Sequence, residues 1–128
     1  MTDFSITIEP RSYETDALGH INNNAITAWF EVLRVKLIGR LGEDIPMAQN
    51  WVVVSLAMDF LDETFYGRDV VITATDVAAG NSSLTIQCEM AQDQRLTVKG
   101  RAVLVHLDPD TKRPTRIPDA FRERIAGL

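Results

Sequence analysis

From Ala25 to Leu41 apolar residues recur at helical spacing on nearly every side of the chain. Ile26, Trp29, Phe30, Leu33, Leu37 and Leu41 form one face, and Ala25, Ala28, Val32 and Val35 form a second. Polar residues keep a narrow stripe through Thr27, Glu31 and Arg34. A helix this apolar is expected inside the protein, so the remaining chain has to wrap around it. Asn22, Asn23 or Asn24 can cap its start, because a short amide side chain accepts from the free N–H groups of a first turn. Gly39 and Gly42 bracket its end.

The rest of the chain reads as strands. Phe4, Ile6 and Ile8 alternate with Ser5, Thr7 and Glu9, and Pro10 ends that strand or sets it at an edge. Trp51 to Leu61 is close to continuously apolar, the pattern of a strand covered on both faces. Val70 to Ala79 is rich in β-branched residues and stops at Gly80-Asn81, a hairpin signal. Leu84, Ile86, Cys88 and Met90 alternate with polar neighbours, and Leu96 to Leu107 makes a last long strand with a bulge expected at Gly100. Pro118 to Gly127 is expected to form a short amphipathic helix. Short links imply antiparallel pairing. The expectation is α+β: residues 1–128 as a single domain, with a curved antiparallel sheet of about five strands around one long buried helix. Five strands cannot cover all the apolar surface of that helix, so a second copy of the chain is expected against it.

Charge and cysteine content narrow the function. Thirteen Lys and Arg against eighteen Asp and Glu leave a net charge of −5, which argues against nucleic acid as a partner. The single Cys88 excludes an intramolecular disulfide and a multi-cysteine zinc site. No apolar run approaches the roughly 18–20 residues of a membrane span. The opening MTDFSITIEP has neither the positive charge nor the apolar core of a signal peptide, so the expected location is cytoplasmic.

One segment carries chemistry. Tyr13 to Asn24 (YETDALGHINNN) sets Asp16, Gly19, His20 and three asparagines just before the start of the apolar helix. Unpaired N–H groups and the positive end of the helix dipole gather at such a start, where they can stabilise an oxyanion developing on a carbonyl. Asp16 beside those donors can serve as general base or nucleophile, and Gly19 permits a positive φ or a close approach. Turns and caps attract Asp and Asn whatever the function, so the same residues also read as loop formers.

The run YETDALGHINNNAITAWFEVLR resembles the signature of hotdog-fold acyl-CoA thioesterases of the 4-hydroxybenzoyl-CoA thioesterase type, approximately aromatic-x-(D/T)-D-x-x-G-H-(V/I)-N-N before a long central helix. FLDETFYGRDVVITA, AAGNSSLTI and GRAVLVHLDPDTKRPTRIPD follow in the order of the later family segments, so the resemblance covers nearly the whole chain. It implies hydrolysis of an acyl-CoA, or acyl carrier protein, thioester with no metal or prosthetic group. The helix would lie inside the sheet of a homodimer or homotetramer whose sheets join edge to edge. Asp16 falls on the catalytic position, Gly19 and His20 near the thioester carbonyl, and Tyr13, Asn22 and Asn23 on substrate-binding positions. Ile26 stands where many relatives carry Tyr, and Asp62 and Glu63 stand in place of a basic residue and a proline. Glu31, a second carboxylate in another subgroup, is expected instead to pair with Arg34 or face a subunit contact. Arg68, Lys99, Arg101, Lys112 and Arg113 are available to coenzyme A phosphates but read more simply as surface charge. The alternative is a non-catalytic hotdog module that binds acyl-CoA or an acyl chain. A dehydratase is disfavoured because no Asp-x-Asn-Pro-x-His-like run occurs.

Overall fold

A computed structural model of the chain describes residues 2–128. Strand β1 (Ser5–Ile8) leads through a 3-10 turn (Ser12–Glu14) to helix α1 (Asn23–Leu41). Strands β2 (Trp51–Phe60), β3 (Val70–Ala79), β4 (Ser83–Gln92) and β5 (Arg95–His106) follow, and helix α2 (Asp119–Ala126) ends the chain. The sheet is antiparallel throughout, in the order β1-β3-β4-β5-β2. The expected sequence of elements holds, with a second helix packed on the sheet.

Each long strand pair carries one irregularity, between Val53 and Ser55, Ala74 and Asp76, and Met90 and Ala91. An extra residue on one strand increases twist and bends that strand, which lets the sheet curl around α1. Asp93 and Gln94 join β4 to β5 at φ of 54° and 63°, the left-handed pair of a tight hairpin. The expected bulge at Gly100 is not there. Gly100 pairs regularly with Cys88 and Met58, and its missing side chain makes room for Phe30 of α1.

α1 is 19 residues long and lays Ile26, Phe30, Leu33, Leu37 and Leu41 on the sheet, where they join the core with Ile72, Leu84, Ile86, Met90 and Val98. Its other side is not buried: Val35 is 65% exposed, and Ala28, Val32 and Gly39 are exposed too. One sheet covers one face of a helix, so the expectation of a buried helix is corrected for the single chain, and the open side is the surface that five strands were expected to leave uncovered. α2 seats Phe121 against Trp51, with ring centroids 5.3 Å apart, and Arg124 donates to the carbonyls of Leu41 and Glu43 at the end of α1.

β2 is the second correction. Its apolar run was expected between two covering layers, yet it is an edge strand paired only with β5. Phe60 and Leu56, opposite buried Val98 and Ala102 on the helix side of the sheet, remain 43% and 46% exposed. A ten-residue apolar edge with an open face is a template for another chain, which natural proteins normally cover.

Candidate active site

The segment Thr15–Ile21 is pinned at several points. Thr15 and Ile21 form an antiparallel bridge, and the Asp16 N–H donates to His20 O at 2.7 Å. The Asp16 side chain closes the turn, with Oδ1 accepting from the N–H groups of Leu18 (2.8 Å) and His20 (3.1 Å). Its second oxygen makes no hydrogen bond among the described residues. Gly19 has φ +80°, a conformation other residues adopt only with strain, so its place in the sequence is a backbone requirement.

Asn22 is the N-cap. Its Oδ1 accepts from the Ala25 N–H at 2.8 Å, and its Nδ2 donates to Glu14 O at 2.8 Å. The N–H groups of Asn23 and Asn24 find no acceptor among the described residues. They form the positive end of α1 and point out of its first turn.

Asp16, His20, Ile21, Asn23 and Ile26 line a hollow of about 470 Å³ together with Phe60 to Thr64 from the end of β2 and the loop after it. That loop is held against the Asp16 turn by a bond from Ile21 N–H to Thr64 O (2.8 Å) and a bridge between His20 and Phe65. His20 Nε2 lies 3.4 Å from Glu63 Oε2, and its ring meets Phe65 edge-on at 5.1 Å. The carboxylate thus lies beside the imidazole. Arg95 bonds to Asp62 Oδ2 at 2.8 Å and balances one charge at the rim. Buried Gln92 holds the loop from beneath, accepting from Phe65 N–H and donating to the carbonyls of Phe65 and Arg68.

Of the residues expected in the site, Asp16, His20 and Asn23 come together in one hollow, while Gly19 and Asn22 shape it. Tyr13 does not join them. It is 72% exposed in a separate groove with Tyr66, Arg11 and Pro10, because the 3-10 turn directs it away from the Asp16 turn. The basic residues are dispersed as well: Arg68 pairs with Asp93 at 2.7 Å, Lys99 and Arg101 line a shallow hollow with Asp59 and Glu89, and Lys112 and Arg113 sit in the turn after β5. Glu31 makes no ion pair with Arg34 among the described residues. Arg34 is buried, 5% exposed, and burial holds its proton affinity below the ordinary value, with Glu31 opposing. Glu63, Thr64 and Gln92 were not singled out as site formers in the sequence. The only signal was that Asp62 and Glu63 depart from the family pattern.

A larger hollow, about 830 Å³, lies between β1 and the ends of α1 and α2. Its Arg124 is occupied by main-chain carbonyls, its Ser5 hydroxyl is bonded to Asp3 O and the Thr73 hydroxyl, and no helix N-terminus faces it, so the smaller hollow is the candidate site. No group of three His, Cys, Asp or Glu among the described residues is placed to hold a metal ion, and no helix is long and apolar enough to cross a membrane.

Residues 10–125 match the family model of the thioesterase-like superfamily. The chain belongs to the thioesterase-like superfamily. Among solved structures, this superfamily member is similar to a predicted thioesterase from Bacillus stearothermophilus, with 34% identity and a TM-score of 0.89 over 98% of this chain and 96% of that one. A Thermus thermophilus thioesterase complexed with coenzyme A and zinc is 30% identical, with a TM-score of 0.84 over 94% and 95% of the two chains. A 1,4-dihydroxy-2-naphthoyl-CoA thioesterase from Synechocystis has the same fold, with a TM-score of 0.83 over 99% and 98% of the two chains at 13% identity. A search among curated protein sequences found no match.

Proposed function

We propose that this protein hydrolyses an acyl-CoA thioester to the free acid and coenzyme A, with Asp16 as the reacting carboxylate. The observation that carries this reading is the presence of Asp16 and the unpaired Asn23 N–H in one hollow at the start of α1. A thioester carbonyl bound there would direct its oxygen at the helix N-terminus while its carbon faces the free oxygen of Asp16. Negative charge gathering on the carbonyl oxygen is then met by fixed N–H dipoles, which lowers the barrier without reorganisation. Asp16 either removes a proton from the attacking water or attacks the carbonyl carbon itself. In both routes the C–S bond breaks, the thiol leaves, and one water is consumed. His20, with Glu63 beside it, borders the reacting centre.

The unit of function in this reading is a homodimer. The hollow opens beside Phe60, where the exposed apolar side of β2 begins, and a second copy pairing along that edge would close it. The location consistent with this reading is the cytoplasm.

The test is thioester hydrolysis over short, medium, long and aromatic acyl-CoAs, followed by thiol release, for the native chain and for Asp16→Asn. The expected result is turnover of at least one class, with a loss of about 100-fold or more in the variant at unchanged fold. An Asp16→Asn variant as active as the native chain removes the proposed role, and no turnover with any thioester favours the non-catalytic binding module.

A further inference from the structure

Thr64 lies on the wall of the Asp16 hollow and is 2% exposed. Its Oγ1 is the one buried side-chain polar atom among the described residues with no hydrogen-bond partner. Leaving a buried hydroxyl unpaired is unfavourable, and proteins rarely tolerate it without a reason. The main-chain and amide groups packed around it are already engaged. Thr64 O is taken by Ile21 N–H, both donors of Gln92 are taken by carbonyls, and the N–H groups of Leu61 and Asp62 are taken by Thr97 O. Valine would fill the same volume with no unpaired atom. Rotation about χ1 re-aims the hydroxyl without backbone movement.

We propose that Thr64 is a specificity-determining residue of this hollow, its hydroxyl hydrogen-bonding an oxygen carried by the acyl group of the bound thioester. The site then selects acyl groups that bear a hydroxyl or carbonyl oxygen near the thioester over plain alkyl groups of the same length. This rests on the thioester-binding reading of the hollow but not on catalysis by Asp16. A site that pairs a buried polar group with its ligand rejects the analogue lacking that partner, since the group is left unpaired in the complex.

The experiment is calorimetric binding of non-hydrolysable coenzyme A thioethers carrying a four-carbon alkyl chain in place of the acyl group, either unsubstituted or hydroxylated at carbon 2, 3 or 4. Native protein, Thr64→Val and Thr64→Ser are compared. The native chain is expected to bind one hydroxylated analogue about tenfold more tightly than the unsubstituted one. Thr64→Val is expected to lose that preference while keeping its affinity for the unsubstituted analogue, and Thr64→Ser to retain it. Thr64→Val should also melt about 2–5 °C higher, because an unpaired buried hydroxyl has been replaced by a methyl. Equal affinities for all four analogues in the native chain, equal loss across all in Thr64→Val, or no binding at all overturns the proposal. Asp16-dependent hydrolysis of plain acyl-CoAs would persist through the first two outcomes, so failure here is separate from failure of the thioesterase reading.

Discussion

Gly100 of β5 and Phe30 of α1 are packed so closely that a Cβ on the glycine would lie 2.6 Å from a ring carbon of the phenylalanine and 3.0 Å from Met58 Sδ. Gly100, Cys88 and Ala74 form a row of small residues across β5, β4 and β3. The row recesses the middle of the sheet, and Phe30 of the helix fills the recess at Gly100. Gly100→Ala is therefore expected to lower stability by about 1–3 kcal/mol, since neither ring nor strand can yield without strain. Gly39→Ala is the contrast, because a Cβ there meets nothing within 4 Å. That exposed helical position should gain about 0.5–1 kcal/mol. Urea denaturation of both variants checks the pair, and a neutral Gly100→Ala would show that the sheet and helix are not in close contact.

Gln92 connects the core to the candidate active site through three hydrogen bonds to the main chain of Phe65 and Arg68. Gln92→Leu keeps the bulk and leaves those main-chain groups unpaired. The expected loss is about 2 kcal/mol or more in stability. Hydrogen exchange should quicken first at Phe65 and its neighbours, and hydrolysis should fall because the loop that bridges to Ile21 and His20 is loosened. Unchanged exchange at residues 62–68 would argue against this support.

Self-association should depend on the helix side of β2. Leu56→Lys places a charge on a surface that is open in the single chain and apolar. Light scattering on eluted fractions is expected to show a dimer for the native chain and a shift to monomer for the variant, with activity lost in parallel. A native chain that elutes as a monomer at every concentration would refute the proposed pairing.

Cys88 is buried against α1, and burial pushes its thiol up to about 12, with the nearby Arg34 charge acting in the opposite direction. Such a thiol is neutral and shielded at pH 8, so a disulfide reagent should label it only after unfolding. Because the folded value is raised, the contribution to stability is full below the unfolded value near 9 and is lost as pH rises from there toward 12. Cys88→Ala should flatten the decline of melting temperature over that alkaline window relative to the native chain. Parallel slopes in the two proteins would remove the assignment.

Much of the fold was legible because local spacing carries it. The helix expected over Ala25–Leu41 appears as Asn23–Leu41, and the strand expected over Val70–Ala79 appears with those bounds. Periodicity of 3.6 or 2 follows from the geometry of the element itself, whatever packs against it. The Asp16 turn was legible for a similar reason. Its Asx turn, the positive φ of Gly19 and the Asn22 cap are short-range interactions within a few residues.

What the sequence could not supply was which apolar surfaces end up covered. The runs of α1 and β2 read alike as buried, yet one side of α1 and the helix side of β2 are open, because burial depends on strand order and on what lies beyond the edge. Gly100 read as a bulge and instead receives a ring from an element about 70 positions earlier in the chain. Tyr13, three residues from Asp16, points elsewhere, while Glu63 and Thr64, more than forty residues away, join the hollow. Sequence alone determined the elements and the Asp16 turn through local backbone chemistry. Only the tertiary structure decided their neighbours, because a hydrogen bond left unmade at Thr64 and a Cβ excluded at Gly100 exist only between segments distant in the chain.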